Sequence, residues 1–282
     1  MWPACERLIA KSTSIPDVTK LREVTCPNTN NMGNAGWLSS SKAAALEAGN
    51  AIMKVYDSMN FSVEYKADMS PLTIADTAAH EIIIKKLKPT GIPILSEEGN
   101  LTPYSERRGW DQFWIVDPLD GTKEFVKRNK DFTVNIALIK DRQPVFGVVF
   151  APALELFYWS DLEGRAWKQQ GRGPAAEIHT RRNDQIQTIV ASKSHLSVET
   201  QQYIEQFPSA KLHTIGSSLK FMLIAEGGAD CYPRFGPTME WDTAAAHAIV
   251  MAAGGTVTQY NSSEPLYYNK EDLLNPWFIV RA

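Results

Sequence analysis

The chain has 282 residues, 44% of them hydrophobic, and a formal net charge of −3. That is material for one large domain or two coupled halves, with no basic excess to hold a nucleic-acid polymer. Cys5, Cys26 and Cys231 have no metal-ligand spacing and read as a reduced, cytosolic chain, and no apolar run reaches the ~18–20 residues that span a bilayer.

Residues 1–36 have little periodicity, and the Asn- and Gly-rich stretch 26–36 reads as loop. No apolar signal-peptide core is present there. This segment is expected to be an extension without a catalytic role. Regular structure is expected from near Leu38, where Ser39 and Ser41 offer N-caps and Ala45, Gly49, Ile52 and Tyr56 share a helical face. Phe61, Val63 and Tyr65 alternate as in a strand. Residues 66–76, KADMSPLTIAD, read as loop. A helix follows over 76–88, with Ala79, Ile83 and Leu87 on one face. Asp76 then lies in its first turn, where the macrodipole favours a carboxylate.

A short strand at 92–95 runs into Ser96, Glu97, Glu98 and Gly99. A Glu-Glu pair at that place, taken alone, is a solvated turn. The next stretch, WIVDPLDGTKEF at 114–125, carries the most chemistry. An apolar run over 113–116 predicts a buried strand, and the remainder predicts its C-terminal turn. Asp117 and Asp120 flank Pro118 and Leu119, so the turn can bring two carboxylates to one point. Such a pair repels unless cations neutralise it. Oxygen ligands select hard cations, Mg²⁺ or Ca²⁺, and the Leu119 carbonyl is a further candidate ligand.

Strand-like runs at 132–139, 145–150, 156–159 and 165–168, punctuated by Gly and Pro, predict an antiparallel sheet. Residues 169–187 are polar, and the boundary between halves is expected there. The second half alternates strands at 188–191, 212–215 and 230–233 with helices at 198–207, 219–226 and 240–253, and ends on a strand at 276–280. Gly216, Ser217 and Ser218 open one of those helices and present N–H groups and hydroxyls suited to phosphate. Trp241 and Asp242 open the last helix. Tyr232 and Phe235 read as packing residues.

Three separated acidic pieces, the Glu-Glu after a strand, DPLDGT, and WDTAA at a helix start, resemble the inositol monophosphatase superfamily of Mg²⁺-dependent, Li⁺-sensitive phosphatases. The resemblance covers about residues 38–282. Lys123, Glu124 and Phe125 stand where inositol phosphatases tend to carry Thr-Asn-Phe. With FTVNIAL, IGSSLKF and YPRFGPT, this is similar to the bacterial 3'(2'),5'-bisphosphate nucleotidases of the CysQ type.

The resemblance implies a layered αβαβα fold, an α+β metal-binding half at 37–170 and an α/β nucleotide-binding half at 171–282. Glu97, Asp117, the Leu119 carbonyl, Asp120 and Asp242 would hold two or three Mg²⁺ ions, which activate water and stabilise the leaving oxygen. Thr122 would orient the water, Asp76 would hold and activate Thr122, and Glu97 would lie near the same water. Leu119, Asp120, Gly121, Thr122, Glu97 and Asp242 would surround the scissile phosphate. Ser192, His195, Gly216, Ser217, Ser218, Lys220 and Arg234 would contact the nucleotide. Read alone, His195 is a capping or surface histidine and Lys220 a solvated helix lysine. No Cys, His or Ser nucleophile is required, which favours direct attack by water. The implied reaction is removal of the 3'-phosphate from adenosine 3',5'-bisphosphate, and also from 3'-phosphoadenylyl sulfate, in sulfur assimilation. An inositol or sugar phosphatase is the alternative of the same fold, and a non-catalytic nucleotide- or metal-binding protein the alternative of another class. The expected partner is a small nucleotide, for a monomer or homodimer that is cytoplasmic or peripheral on the inner face of the inner membrane.

Overall fold

Helix α1, Asn34–Asp57, starts four residues ahead of Leu38, inside the stretch expected to be loop. The first N–H groups of a helix have no helical partner, so Asn and Gly cost little at that end. Gly36 N–H donates instead to the Gly33 carbonyl, at 2.8 Å. The structure is a computed structural model that describes residues 33–57, 63–65, 71–183, 185–192 and 196–282. The extension expected at 1–36 therefore lies almost wholly outside the described residues.

A two-stranded ribbon of β1 (Val63–Tyr65) and β2 (Pro71–Thr73) leads directly into helix α2 (Ile74–Leu87). The loop expected over 66–76 therefore contains a short strand; Pro71 holds a φ that suits extended backbone. Next come β3 (Ile94–Ser96), the one-turn helix α3 (Tyr104–Arg107), β4 (Gln112–Asp120) and α4 (Thr122–Val126). Then follow β5 (Thr133–Lys140), β6 (Gln143–Ala151), β7 (Leu156–Ser160), β8 (Ala166–Gln170) and β9 (Ala176–Ile178). Strands β3 to β9 form one seven-stranded sheet in sequence order. Only the β3–β4 pair is parallel; the other five neighbours are antiparallel. Strand β9 falls in the polar stretch 169–187, where its short run carries no apolar alternation to mark it.

The rest of the chain gives β10 (Thr188–Ser192), α5 (Val198–Ile204), β11 (Lys211–Ile215), α6 (Leu219–Ala225), β12 (Cys231–Arg234), α7 (Glu240–Ala252), β13 (Thr256–Gln259) and β14 (Phe278–Arg281). A five-stranded sheet takes them in the order β11-β10-β12-β14-β13. Strand β10 pairs in parallel with β11 and β12, and β14 pairs antiparallel with β12 and β13.

Alternation along β4 and β5 sorts the core. Trp114, Val116 and Ile136 face α1 and α2, against Ala48, Ile52, Ala79 and Ile83. Phe113, Ile115, Ala137 and Ile139 face the other way, toward α6 and α7 and the inner face of the five-stranded sheet. Helix α5 covers the outer face of that sheet, Tyr203 packing with Ile189, Cys231 and Ile279. The layers run αβαβα, as expected.

Helix α7 is the middle layer and is buried nearly all round; Trp241, Ala244, Ala245, Ile249 and Val250 belong to the core. Its place is set by packing more than by propensity. Strand β6 passes directly beneath it at Gly147. A Cβ at Gly147 would stand 2.7 Å from the Ala245 Cα, closer than packed atoms come. Only glycine admits that approach. The start of α7 is held by fully buried Glu240, which accepts from Asn269 N–H at 2.6 Å, Lys270 N–H at 3.0 Å and Lys270 Nζ at 2.6 Å. Buried Arg107 braces the same loop, donating to Asn269 Oδ1 at 2.9 Å and to the carbonyls of Lys270 and Glu271. Without its partners such a charge would cost several kcal/mol.

The α7 interior also contains His247, 1% exposed, with Nδ1 2.9 Å from the Tyr268 hydroxyl. Burial pushes its pKa down to about 3. The unfolded chain takes up that proton near pH 6.5, so His247 stabilises the fold above pH 6.5 and that contribution is lost as pH falls toward 3. At pH 5 the loss is about 2 kcal/mol. Melting scans at pH 7.5 and pH 5 should show the wild type falling more steeply on acidification than His247→Gln. Equal slopes in the two proteins would contradict the neutral buried imidazole.

Candidate active site

Strand β4 carries the first two carboxylates, and it does not end where the apolar run ends. The strand continues through Asp117 to Asp120, with its register against β5 shifting between those two residues. This corrects the expected turn. Pro118 has no N–H to give to a ladder and is tolerated at such an irregularity. The Asp117 Oδ1 accepts from Leu119 N–H at 3.0 Å, which fixes the carboxylate. Gly121 follows at φ +94°, with its would-be Cβ 3.0 Å from the Asp131 carbonyl, so the chain can turn into α4 only with glycine there. Thr122 opens α4, and its hydroxyl donates to the Leu119 carbonyl at 3.3 Å.

Glu97 comes from the residue after β3, whose parallel pairing with β4 places it beside Asp117; its N–H donates to the Val116 carbonyl at 3.1 Å. Asp242 comes from the first turn of α7. Its Oδ2 accepts from Met239 N–H at 2.7 Å, which holds the carboxylate at the positive end of the helix. One oxygen from each of Glu97, Asp117 and Asp242 lies within 4.8 Å of the others. Asp120 joins them electrostatically. Burial first, then the charges of Glu97, Asp120, Asp242 and Asp76, hold the Asp117 carboxyl well above its usual range. Asp242 is raised likewise by burial, then by Asp120 and Glu97. Asp76, 2% exposed in the first turn of α2, is thus part of the same field.

This donor set fits a hard divalent cation. All the donors are oxygens. Asp117 Oδ2 is buried with no hydrogen-bond partner among the described residues, and the cluster stores repulsion that a cation would remove.

Above the carboxylates opens a cavity of about 680 Å³. Glu97, Asp120, Gly121, Thr122 and Asp242 line it, together with Ser192, Gly216, Ser217, Ser218, Lys220 and Arg234. Asp117 lies beneath it. The structure thus brings together nearly all the expected site residues, from β3, β4, α4, the β11–α6 turn, α6, β12 and α7. His195 lies outside the described residues. The Gly-Ser-Ser turn is engaged within the protein: Ser217 and Ser218 hydroxyls donate to Asp120 Oδ2 at 2.6 and 3.2 Å, and Gly216 N–H donates to Asp131 Oδ2 at 3.3 Å.

Lys220 is not the solvated helix lysine that its position alone suggests. It is 7% exposed, with Nζ donating to the Ser217 carbonyl at 2.5 Å. Burial lowers its pKa to about 8, with Asp120 opposing and Arg234 adding to the shift. It is a buried cation on the cavity wall, beside Asp120 and Asp242. Arg234 is set by Thr238 Oγ1, to which its Nε donates at 2.6 Å. Tyr232 and Phe235 are buried, as packing residues should be.

Sequence reasoning passed over Thr133 and Asn135. Both are buried polar residues on β5, opposite Asp120 and Asp117 in the strand register. The signal was in FTVNIAL: two polar residues alternate on the face that continues with Ala137 and Ile139.

The profile of the inositol monophosphatase family matches residues 35–277. The chain is 48% identical over 240 residues to the 3'(2'),5'-bisphosphate nucleotidase CysQ of Salmonella typhimurium, covering 84% of this chain and 96% of that one. It is 47% identical over 239 residues to the enzyme of the same name from Escherichia coli K12, with 84% and 96% covered. The crystal structure of CysQ from Bacteroides thetaiotaomicron superposes with a TM-score of 0.79 at 47% identity, over 88% of this chain and 97% of that one.

Proposed function

The chain belongs to the inositol monophosphatase family, and from that premise we infer that it is an enzyme, a 3'(2'),5'-bisphosphate nucleotidase that converts adenosine 3',5'-bisphosphate to AMP and phosphate. The observation that carries the substrate side is one cavity lined by both signs of charge: the carboxylates of Glu97, Asp120 and Asp242 together with the cations Lys220 and Arg234. A substrate with two phosphates would offer one to the cation-loaded carboxylates and a second to Lys220 and Arg234. A single-phosphate sugar has no second phosphate for Lys220 and Arg234.

We propose that the cation is Mg²⁺, two or three ions, held by Glu97, Asp117, the Leu119 carbonyl, Asp120 and Asp242. When bound, it would supply charge neutralisation for the phosphate and lower the pKa of water. The chain's own residues do the rest. The N–H groups at Gly121 and Thr122 would receive phosphate oxygens where α4 begins. Thr122, with Asp76 as proton acceptor, would orient the attacking water in line with the scissile bond. Ser217, Ser218, Lys220 and Arg234 would anchor the 5' side, with Ser192 and His195 near the nucleoside. Residues 37–170 thus provide most metal ligands and 171–282 the nucleotide contacts. Activity on 3'-phosphoadenylyl sulfate, inhibition by Li⁺, a place in sulfur assimilation and a cytoplasmic or peripheral inner-membrane location belong to the same proposal. No helix among the described residues is long and apolar enough to cross a membrane.

The test is phosphate release from adenosine 3',5'-bisphosphate with Mg²⁺, against inositol 1-phosphate as the competing substrate. We expect the nucleotide to be preferred by about 10²-fold or more in kcat/KM, since the disfavoured ligand forgoes the contacts of a second phosphate. EDTA should abolish release and Li⁺ should inhibit it. Faster turnover of inositol 1-phosphate would keep the site and overturn the substrate. No turnover of either would favour a binding protein.

A further inference from the structure

Helix α2 meets the end of β3 through a directed polar contact: His80 Nδ1 lies 2.9 Å from Ser96 Oγ. Both residues stand beside acids of the site. His80 is one turn after Asp76 on α2, and side chains four apart share a helix face. Ser96 is the residue before Glu97 and is buried. The chain then closes back over the pair. Gly99 N–H donates to the Ser96 carbonyl at 3.1 Å, and a Cβ on Gly99 would stand 3.7 Å from His80 Cε1. Next to this contact, Ala79, Ile83 and Leu87 of α2 share a core cluster with Trp114 and Val116 of β4. Apolar burial is non-directional, whereas a hydrogen bond fixes distance and angle. The contact holds in either neutral tautomer, because the serine hydroxyl can donate or accept. Burial lowers the His80 pKa, with Glu98 and Glu81 opposing. At neutral pH the ring therefore brings no positive charge toward the carboxylates.

We propose that the His80–Ser96 contact is a tether that sets Asp76 against Glu97, and that His80 is thereby a positioning residue for the hydrolytic step. The inference rests on the reading of Asp76 as the water-activating acid and of Glu97 as a cation ligand near the same water. Neither His80 nor Ser96 is among the residues that line the substrate cavity. They act through the acids next to them. Asp76 and Glu97 belong to different elements, and the attacking water answers to both. An error in their spacing is then an error in the line of attack, and a displacement of about 1 Å can cost about 10²-fold in rate. The nucleotide contacts come from residues 171–282 and should not feel the change.

The test uses full-length protein, adenosine 3',5'-bisphosphate and saturating Mg²⁺. His80→Ala and Ser96→Ala should each lower kcat about 10–100-fold, with KM within about twofold of wild type. The double variant should be no slower than the slower single, since both changes remove one contact. His80→Asn, whose amide can take the place of Nδ1, should recover most of the rate. A readout without turnover is amide hydrogen exchange at residues 96–99 in EDTA. Exchange there should quicken about 2–10-fold in the alanine variants, the worth of one hydrogen bond, and return toward wild type in His80→Asn. Ser96→Ala also serves if His80→Ala does not fold. Folded variants with kcat within about threefold of wild type, a double variant whose loss is the product of the singles, or unchanged exchange at 96–99 would each overturn the inference. Wild type that releases no phosphate from this substrate overturns instead the reading on which the inference rests.

Discussion

Asp117→Asn should lower kcat/KM by on the order of 10³-fold or more, about 4 kcal/mol of lost transition-state stabilisation, while raising the melting temperature of the metal-free protein. The two effects have one cause. Asp117 is completely buried in the field of Glu97, Asp120, Asp242 and Asp76. Without a cation that charge is unfavourable, and the isosteric amide relieves it. With a cation the same charge is what the site requires. The sign with pH follows. A carboxyl whose folded pKa is raised favours the fold below the ordinary carboxylate range and loses that advantage as pH rises through the raised value. Metal-free wild type should therefore gain less stability than Asp117→Asn between acid and neutral pH. Melting curves in EDTA across that range, with turnover in Mg²⁺, measure both halves. An active Asp117→Asn enzyme, or one whose metal-free form melts well below wild type, would remove Asp117 from its assigned place.

Asp76→Asn and Thr122→Ala should each lower kcat by about 10²–10⁴-fold, the range for a positioned proton-transfer partner, with cation affinity nearly unchanged. Thr122 stands at the start of α4 on the cavity wall, and Asp76 is buried in the first turn of α2 within the field of Asp117. Neither is needed to hold an ion if the carboxylate cluster is complete. Thr122→Ser keeps the hydroxyl and should recover much of the rate. Single-turnover assays at saturating Mg²⁺ separate this loss from weaker binding. Undiminished turnover by Asp76→Asn would show that another group activates the water.

Much of this arrangement is legible in the amino-acid order because its parts are local. The apolar run before Asp117, the glycine at 121 and the acid in WDTAA each mark an element end and a charge that does not belong in a core. The layered architecture follows from two different alternations, antiparallel strands in the first half and strand–helix repeats in the second. What was not legible depends on contacts distant in sequence. Pro118 and Gly121 look like a turn, yet pairing with β5 keeps the backbone extended to Asp120. Lys220 looks like any lysine on a helix, and its burial is decided by β12 and the turn before α6. Strand β9 has two exposed residues of three and exists through its partner β8.

Gly147 sets how closely α7 sits on the sheet. It acts as a depth stop: α7 rests on bare backbone there, and Asp242 rides on the near end of the same rigid rod, while Asp117 is fixed to the sheet below. The gap between those carboxylates is therefore gauged by the missing side chain. A methyl group at Gly147 would be a shim, and its thickness would reach the carboxylates as spacing. Small ions with strict octahedral shells tolerate such a change poorly and larger, more flexible ones tolerate it well. Under the proposed cation assignment, a glycine that touches none of the ligands would bear on which divalent cation the site prefers.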